Sequence, residues 1–385
     1  MFSKQSQAQN LDRNLRDFAM KTYQEMTEGS RKFLFSPFLI QMTGAVLHLG
    51  AKGSKSGVEI DKCFHFDPNK NSEIEIADYF YLRLSYLQTS KSLKFANRIY
   101  MEEGNEMKDT FSKLLNEKFL LDVESVTFSK PKKVLARINE YTASKTSNLM
   151  HPTVYEDEFF AFEKLLAVNV LYFRGKWETE FPPKYTSIKE FYVKKNIVVP
   201  IHMMHLKAEL NYASLPQIDA TVLELPYEDG DEKWSMSMLV FLPDKHTTLE
   251  DVESKFYKLY FGDVLEAMFS TLVSVELPRF SHEERGDFTY HLEELGLNRT
   301  LKRTNDFDKM LKSPTELELA AMGIQFFIDV HEEGANQAPE VIGDGKQFIA
   351  NRPFMYAVIC KSNILDEPLL LLMGRYTAFY DVILK

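Results

Sequence analysis

Two cysteines, Cys63 and Cys360, are all that the 385 residues contain, so no disulfide framework can staple the chain, and both thiols are expected in the core. No apolar run approaches the length of a membrane span, so no membrane partner is expected. An excess of basic charge is missing too. Lys and Arg number 46 against 56 Asp and Glu, a formal charge of −10, which argues against general affinity for nucleic acid. The first residues, MFSKQSQAQNLDRN, lack the apolar core of a signal peptide. A cytoplasmic location is expected from this, with extracellular as the alternative should the sequon Asn298-Arg299-Thr300 be used.

Catalytic motifs are equally absent. Gly53-Ser54-Lys55-Ser56-Gly57 carries Lys where a nucleophile elbow needs Ser, and it lacks the spacing of a phosphate loop. His202-Met203-Met204-His205 and Cys63-Phe64-His65 have no matching second ligand pair, so no metal site is expected. The nine His residues form no triad context. The chain reads as a protein that is not an enzyme and needs no cofactor.

What is present is ordinary core material, 44% hydrophobic with 30 Phe and 18 Tyr. Helical spacing predicts helices over Leu11–Met26, from Ser36-Pro37 to Gly50, over Ile74–Leu87, Lys132–Met150 and Phe288–Leu297. Strands are predicted at Leu93–Tyr100, Leu165–Phe173, Thr221–Leu225, Met236–Leu242, Leu272–Leu277, Phe354–Cys360 and Leu369–Tyr376. Helices crowd the first part and strands the second, with no linker between them. That pattern predicts one α+β domain over 1–385.

One stretch stands out. Ile324, Phe326, Ile328 and Val330 alternate as on a half-buried strand, which ends at Glu332-Glu333-Gly334. Ala335 to Ala350 then holds Pro339, Gly343 and Gly345 among polar residues, predicting an exposed loop over about 335–351. Long uncovered loops inside compact domains tend to be functional.

The order of several short motifs resembles the serpin family. Phe35-Ser36-Pro37, Leu49-Gly50-Ala51-Lys52-Gly53 and Ala96-Asn97-Arg98 come first. Asn169-Val170-Leu171-Tyr172-Phe173-Arg174-Gly175-Lys176-Trp177 is the most diagnostic run. Leu223-Glu224-Leu225-Pro226-Tyr227, Leu277-Pro278-Arg279-Phe280, Glu332-Glu333-Gly334, Arg352-Pro353-Phe354 and Met373-Gly374-Arg375 follow in family order. The resemblance implies three β-sheets, eight or nine helices, an exposed reactive-centre loop and a monomer whose partner is a serine protease. In inhibitory members the protease cleaves the loop and is trapped as the loop inserts into the central sheet. Glu332, Glu333, Gly334 and Ala335 match the hinge, and Trp177 and Asn169 match the region where the sheet opens.

Several residues depart from the family pattern. With Ala335 taken as inward, Gln337, Pro339 and Val341 would also turn inward on insertion. Gln337 would carry an amide inside, and Pro339 cannot donate the N–H of a central strand. The loop is short, with Gly334 and Pro353 nineteen positions apart. Family spacing places the scissile bond at Phe348–Ile349, suiting a chymotrypsin-like enzyme. Exposure favours Lys346–Gln347, which suits a trypsin-like one. Leu39 and Ile324 stand where the family commonly places a Ser and a His around Asn169, so apolar packing is expected there, with Asn169 left to find another partner. The alternative to an inhibitor is a non-inhibitory serpin, a binding or chaperone-like protein whose loop is only a substrate.

Overall fold

The computed structural model describes residues 2–28, 32–67, 69–154, 165–313, 316–341, 343–362 and 367–378. Helix α1, Phe2–Thr27, buries Leu11, Leu15, Phe18, Ala19, Tyr23 and Met26 on one face, at the predicted spacing. The short strand β1, Phe33–Phe35, precedes α2, Pro37–Ala51. Ser36 caps α2 by accepting from Leu39 N at 3.3 Å, and Pro37 opens the first turn. Every residue of α2 is buried, as its apolar character on all sides requires. Helix α3, Lys55–Cys63, has too few apolar residues for periodicity to predict it; α4, Glu73–Leu87, begins at a Ser72/Glu75 capping box.

Strand β2 covers Leu93–Glu102, followed by α5, Asp109–Leu114, β3, Asp122–Val126, and α6, Pro131–Lys145. The apolar run predicted as a covered strand is β4, Leu165–Phe173. A long β stretch comes next: β5 Trp177–Thr179, β6 Ser187–Lys194, β7 Ile197–Leu215, β8 Ala220–Gly230 and β9 Trp234–Pro243. Helices α7, Leu249–Phe256, and α8, Phe261–Ala267, lead to β10, Phe269–Pro278, β11, Phe280–Asp287, and α9, Thr289–Glu294. The chain closes with β12 Leu319–Val330, β13 Gly334–Asn336, β14 Lys346–Ile349, β15 Phe354–Ser362 and β16 Leu369–Tyr376. Strand β12 starts five residues before the predicted Ile324, because Ala320, Ala321 and Gly323 mask its alternation.

The chain divides into two compact units, each assembled from three separated segments, so no single cut in the sequence parts them. The first holds Met1–Glu25, Ser36–Phe173 and Glu283–Phe327. Its sheet has five strands in the order β11-β12-β4-β2-β3. Strands β2 and β4 are antiparallel, with Asn97 opposite Asn169, and α6 covers one face by packing Val134 and Ile138 among Tyr100, Val168 and Val170. The second unit holds Met26–Phe35, Arg174–His282 and Ile328–Lys385. Its strands run β1-β16-β15-β9-β8-β7-β10-β14, with β5 and β13 attached beside β8 and β6 beside β7. Three sheets were implied by the resemblance. Among the described residues, hydrogen bonds join two of them, because β7 is nineteen residues long and pairs with β6 and β10 before reaching β8.

Candidate functional site

Trp177 organises the ground around Glu332-Glu333-Gly334. Its indole is buried, stacks on Tyr227 at 4.4 Å between centroids, and meets Phe181 edge-on at 5.8 Å. The indole N–H donates to His331 O at 2.6 Å, which ties β5 to the end of β12. The backbone repeats the tie: Trp177 N donates to Glu333 O and Phe181 N to Glu332 O, both at 3.0 Å. His331 is itself buried, with Arg174 Nε 3.3 Å from its Nε2.

The carboxylates of Glu332 and Glu333 are held by cations. Lys176 Nζ lies 2.7 Å from Glu333, and that hydrogen bond keeps the Glu333 carboxyl below the usual carboxylate range. Glu332 accepts from Thr186 Oγ1 at 3.0 Å, with Arg279 at 3.6 Å. Beyond them Gly334–Asn336 runs parallel to β5, with Gly334 opposite Trp177 and Asn336 opposite Thr179. Glu180 N donates to Asn336 O at 2.9 Å. Ala335 is exposed between these two pairs.

Gly334 makes this docking possible. A Cβ there would meet Glu180 N at 2.3 Å and Glu180 Cα at 2.4 Å, and backbone atoms cannot swing aside as a flexible side chain can. Gly334→Ala is therefore expected to displace β13 from β5 and to cost about 1–3 kcal/mol of stability, as overpacking does. Amide exchange at Glu180 reads the outcome. Unchanged protection there would show that position 334 tolerates the methyl group.

The loop itself is shorter than the predicted 335–351. Ala335 and Asn336 belong to β13, and residues 346–349 form β14, parallel to β10 with Val273 opposite Lys346 and Val275 opposite Phe348. Only 337–345 lies between the two strands, and Ile342 falls outside the described residues. Even here the chain is attached, since Lys207 Nζ donates to Gly343 O. A Cβ on Gly345 would meet Leu272 O at 2.8 Å, so a glycine is needed to lie against β10. Lys346 and Gln347 are exposed, Ile349 is half-buried, and Phe348 is only 1% exposed. Its alternation within β14 turns that ring inward, away from solvent. On the far side Arg352 donates to Pro243 O through Nε at 2.9 Å and Nη2 at 2.5 Å, anchoring the start of β15.

The sequence profile described as Serpin (serine protease inhibitor) matches residues 13–378. The chain belongs to the serpin family. Neuroserpin of Gallus gallus is 27% identical over 375 residues, covering 94% of this chain and 87% of the relative. Serpin B3 of Homo sapiens is 28% identical over 389 residues, covering 94% and 97%. A solved structure, Cleaved Serpin 42Da, superposes with a TM-score of 0.83 at 29% identity, covering 96% of this chain and 99% of its own. Proteins of this family are mostly inhibitors of serine proteases.

In this serpin the polar residue beneath the five-stranded sheet finds another partner beside the apolar packing expected there. Leu39 and Ile324 are buried as expected, but Thr43, one turn further along α2, donates from Oγ1 to Asn169 Oδ1 at 3.0 Å. Asn169 Nδ2 and both polar side-chain atoms of Asn97 have no hydrogen-bond partner among the described residues. Each such group costs about 1–3 kcal/mol when buried, so the serpin carries a polar load in the middle of the sheet. Residue pattern alone could not find Thr43, because a lone Thr on an apolar helix face has no visible partner. His331, Lys207 and Arg279 were likewise not legible, since their partners are distant in sequence.

Proposed function

We propose that this serpin inhibits trypsin-like serine proteases by loop cleavage and strand insertion, with Lys346–Gln347 as the bond it offers. One observation carries the reading: β12 lies directly beside β4, and the loop that follows β12 stands outside the five-stranded sheet. Completing that sheet after cleavage is the downhill step that could distort a bound enzyme. Length supports it. The twelve residues from Ala335 to Lys346 span roughly 40 Å when extended, against about 30 Å for the nine of β4. Exposure of Lys346 beside a buried Phe348 supports a trypsin-like over a chymotrypsin-like target. The intact protein is proposed to be one folding domain, because each compact unit is threaded through the other in sequence, and to be a monomer, as the family resemblance implies.

A second reading has its own observations. Gln337 and Pro339 would turn inward on insertion, and the pairing of β14 with β10 must open before a protease can grip Lys346. Both favour a loop that is cut without trapping. Incubation with trypsin-like proteases discriminates the two. The inhibitor yields a covalent complex that survives SDS and a cleaved form with a much higher melting temperature. Clean cleavage at Lys346–Gln347 with an unmoved melting temperature would establish the substrate reading instead.

A further inference from the structure

The exposed large apolar side chains of this protein are not spread evenly. Tyr185, Ile188, Tyr192, Ile197 and Val198 all lie on or next to the β6–β7 hairpin, and Ile188 is 67% exposed. Register explains which of them act together. Ile188 pairs with His202, Glu190 with Pro200 and Tyr192 with Val198, and directly opposed residues share one face of a sheet. That face thus presents Ile188, Tyr192, Val198 and Pro200 to solvent. The opposite face already serves the fold: Phe191 and Val193 are buried, and the Phe191 ring meets Tyr376 edge-on at 5.4 Å. Hairpins with one buried face normally carry polar residues on the other. An apolar stripe there marks an interaction surface.

Its surroundings describe what fits. Lys184, Lys194 and Lys195 are exposed around the stripe, and Lys189 is already paired with Glu276 at 2.5 Å. The acid on the face, Glu190, accepts from the Tyr192 hydroxyl at 2.8 Å. A complementary surface therefore has an apolar centre and carboxylates at its edge. The hairpin is also bonded to both ends of the loop. Tyr192 N donates to Asn351 O at 2.8 Å, and Thr186 Oγ1 to Glu332 at 3.0 Å. From Lys346 to Asn351 the chain can span at most about 18 Å, less than the width of a protease domain.

We infer that the exposed face of the β6–β7 hairpin is a second docking surface for the protease that engages Lys346–Gln347, selecting enzymes with an apolar patch rimmed by carboxylates. The inference rests on the loop being a protease bait. It makes target choice depend on the hairpin as well as on the residue at the cut bond.

The test uses the full chain and a panel of trypsin-like serine proteases, each also prepared with its active-site serine replaced by alanine. The protease that reacts fastest with the unmodified protein is taken forward. Ile188→Ser/Tyr192→Ser and Lys194→Glu/Lys195→Glu are compared with the unmodified protein for reaction rate and for affinity toward the inert protease. Each variant is expected to lose about tenfold in both, and the deficit of the charge variant should fade at high salt. Equal rates and affinities for all three proteins would overturn the docking surface while leaving the loop reading intact. No cleavage of the unmodified protein at Lys346–Gln347 by any protease would overturn both. Dimers of the unmodified protein that the serine variant dissolves, with protease binding unchanged, would assign the face to a second copy and overturn the proposal. The charge variant keeps the test decisive should the serine variant not fold.

Discussion

Trp177→Ala is expected to lower the unfolding free energy by about 3–5 kcal/mol, the range for removing a large aromatic side chain from a packed interior. Three losses coincide at this position. The stacked face against Tyr227 and the edge contact with Phe181 vanish, leaving a cavity under β5. His331 O loses its indole donor at a buried residue. With the ring gone, the support beneath the paired residue Gly334 goes too. The pairing of β13 with β5 should therefore loosen along with the global loss, and limited proteolysis should cut residues 335–345 faster than in the unmodified protein. Trp177→Phe tests the packing share, since it keeps one aromatic ring while losing the indole N–H and part of the ring volume, and should cost less than Trp177→Ala. A guanidinium midpoint for Trp177→Ala within experimental error of the unmodified protein would contradict the packing account.

Lys361→Met is expected to cost about 3 kcal/mol, the low end for breaking a buried ion pair, because Lys361 still meets solvent along part of its length. The reason lies in Glu224, which is 1% exposed between β7, β9 and β15. Its carboxylate accepts from Asn211 at 2.8 Å, from Ser237 at 2.6 Å and from Lys361. Burial pushes Glu224 up, but the Lys361 charge and the hydrogen bonds outweigh it and leave the group below its ordinary value. A depressed carboxylate adds stability that is present above its unfolded value and lost as pH falls through the folded one. In Lys361→Met burial is no longer opposed by a charge, so the folded protein comes to prefer protonated Glu224. The deficit of the variant should be largest at neutral pH and shrink toward about pH 4, near the ordinary glutamate value. Denaturant unfolding of both proteins across that range measures it. A deficit that stays constant with pH would assign the loss to packing alone.

Much of the architecture was legible because it rests on local rules. Ser36-Pro37 dictates the start of α2 through one side-chain cap and one missing N–H, and β4 follows from an apolar run that only a covered strand can use. Strand β7 was not legible, since Pro200, His202, His205 and Lys207 interrupt its alternation. Those residues are tolerated because the strand changes neighbours along its length and leaves parts of both faces in water.

The loop shows where local reading stops. Order of motifs marks Glu332-Glu333-Gly334 and Arg352-Pro353-Phe354, and composition predicts an exposed segment between them. How much of that segment is free depends on strand pairing with distant parts of the chain. Pairing with β5 takes Ala335 and Asn336, and pairing with β10 takes Lys346 to Ile349, burying Phe348 and leaving Lys346 outside. Strand pairing depends on backbone groups brought together across 73 and more positions of chain, and no side-chain pattern within the loop records it. Thr43 beneath Asn169 has the same cause, being a partner set by how α2 lies on β4. The fold family and the exposed stretch after Gly334 follow from local pattern and motif order; how that stretch is held, and which of its bonds faces solvent, came from contacts between residues far apart in the chain.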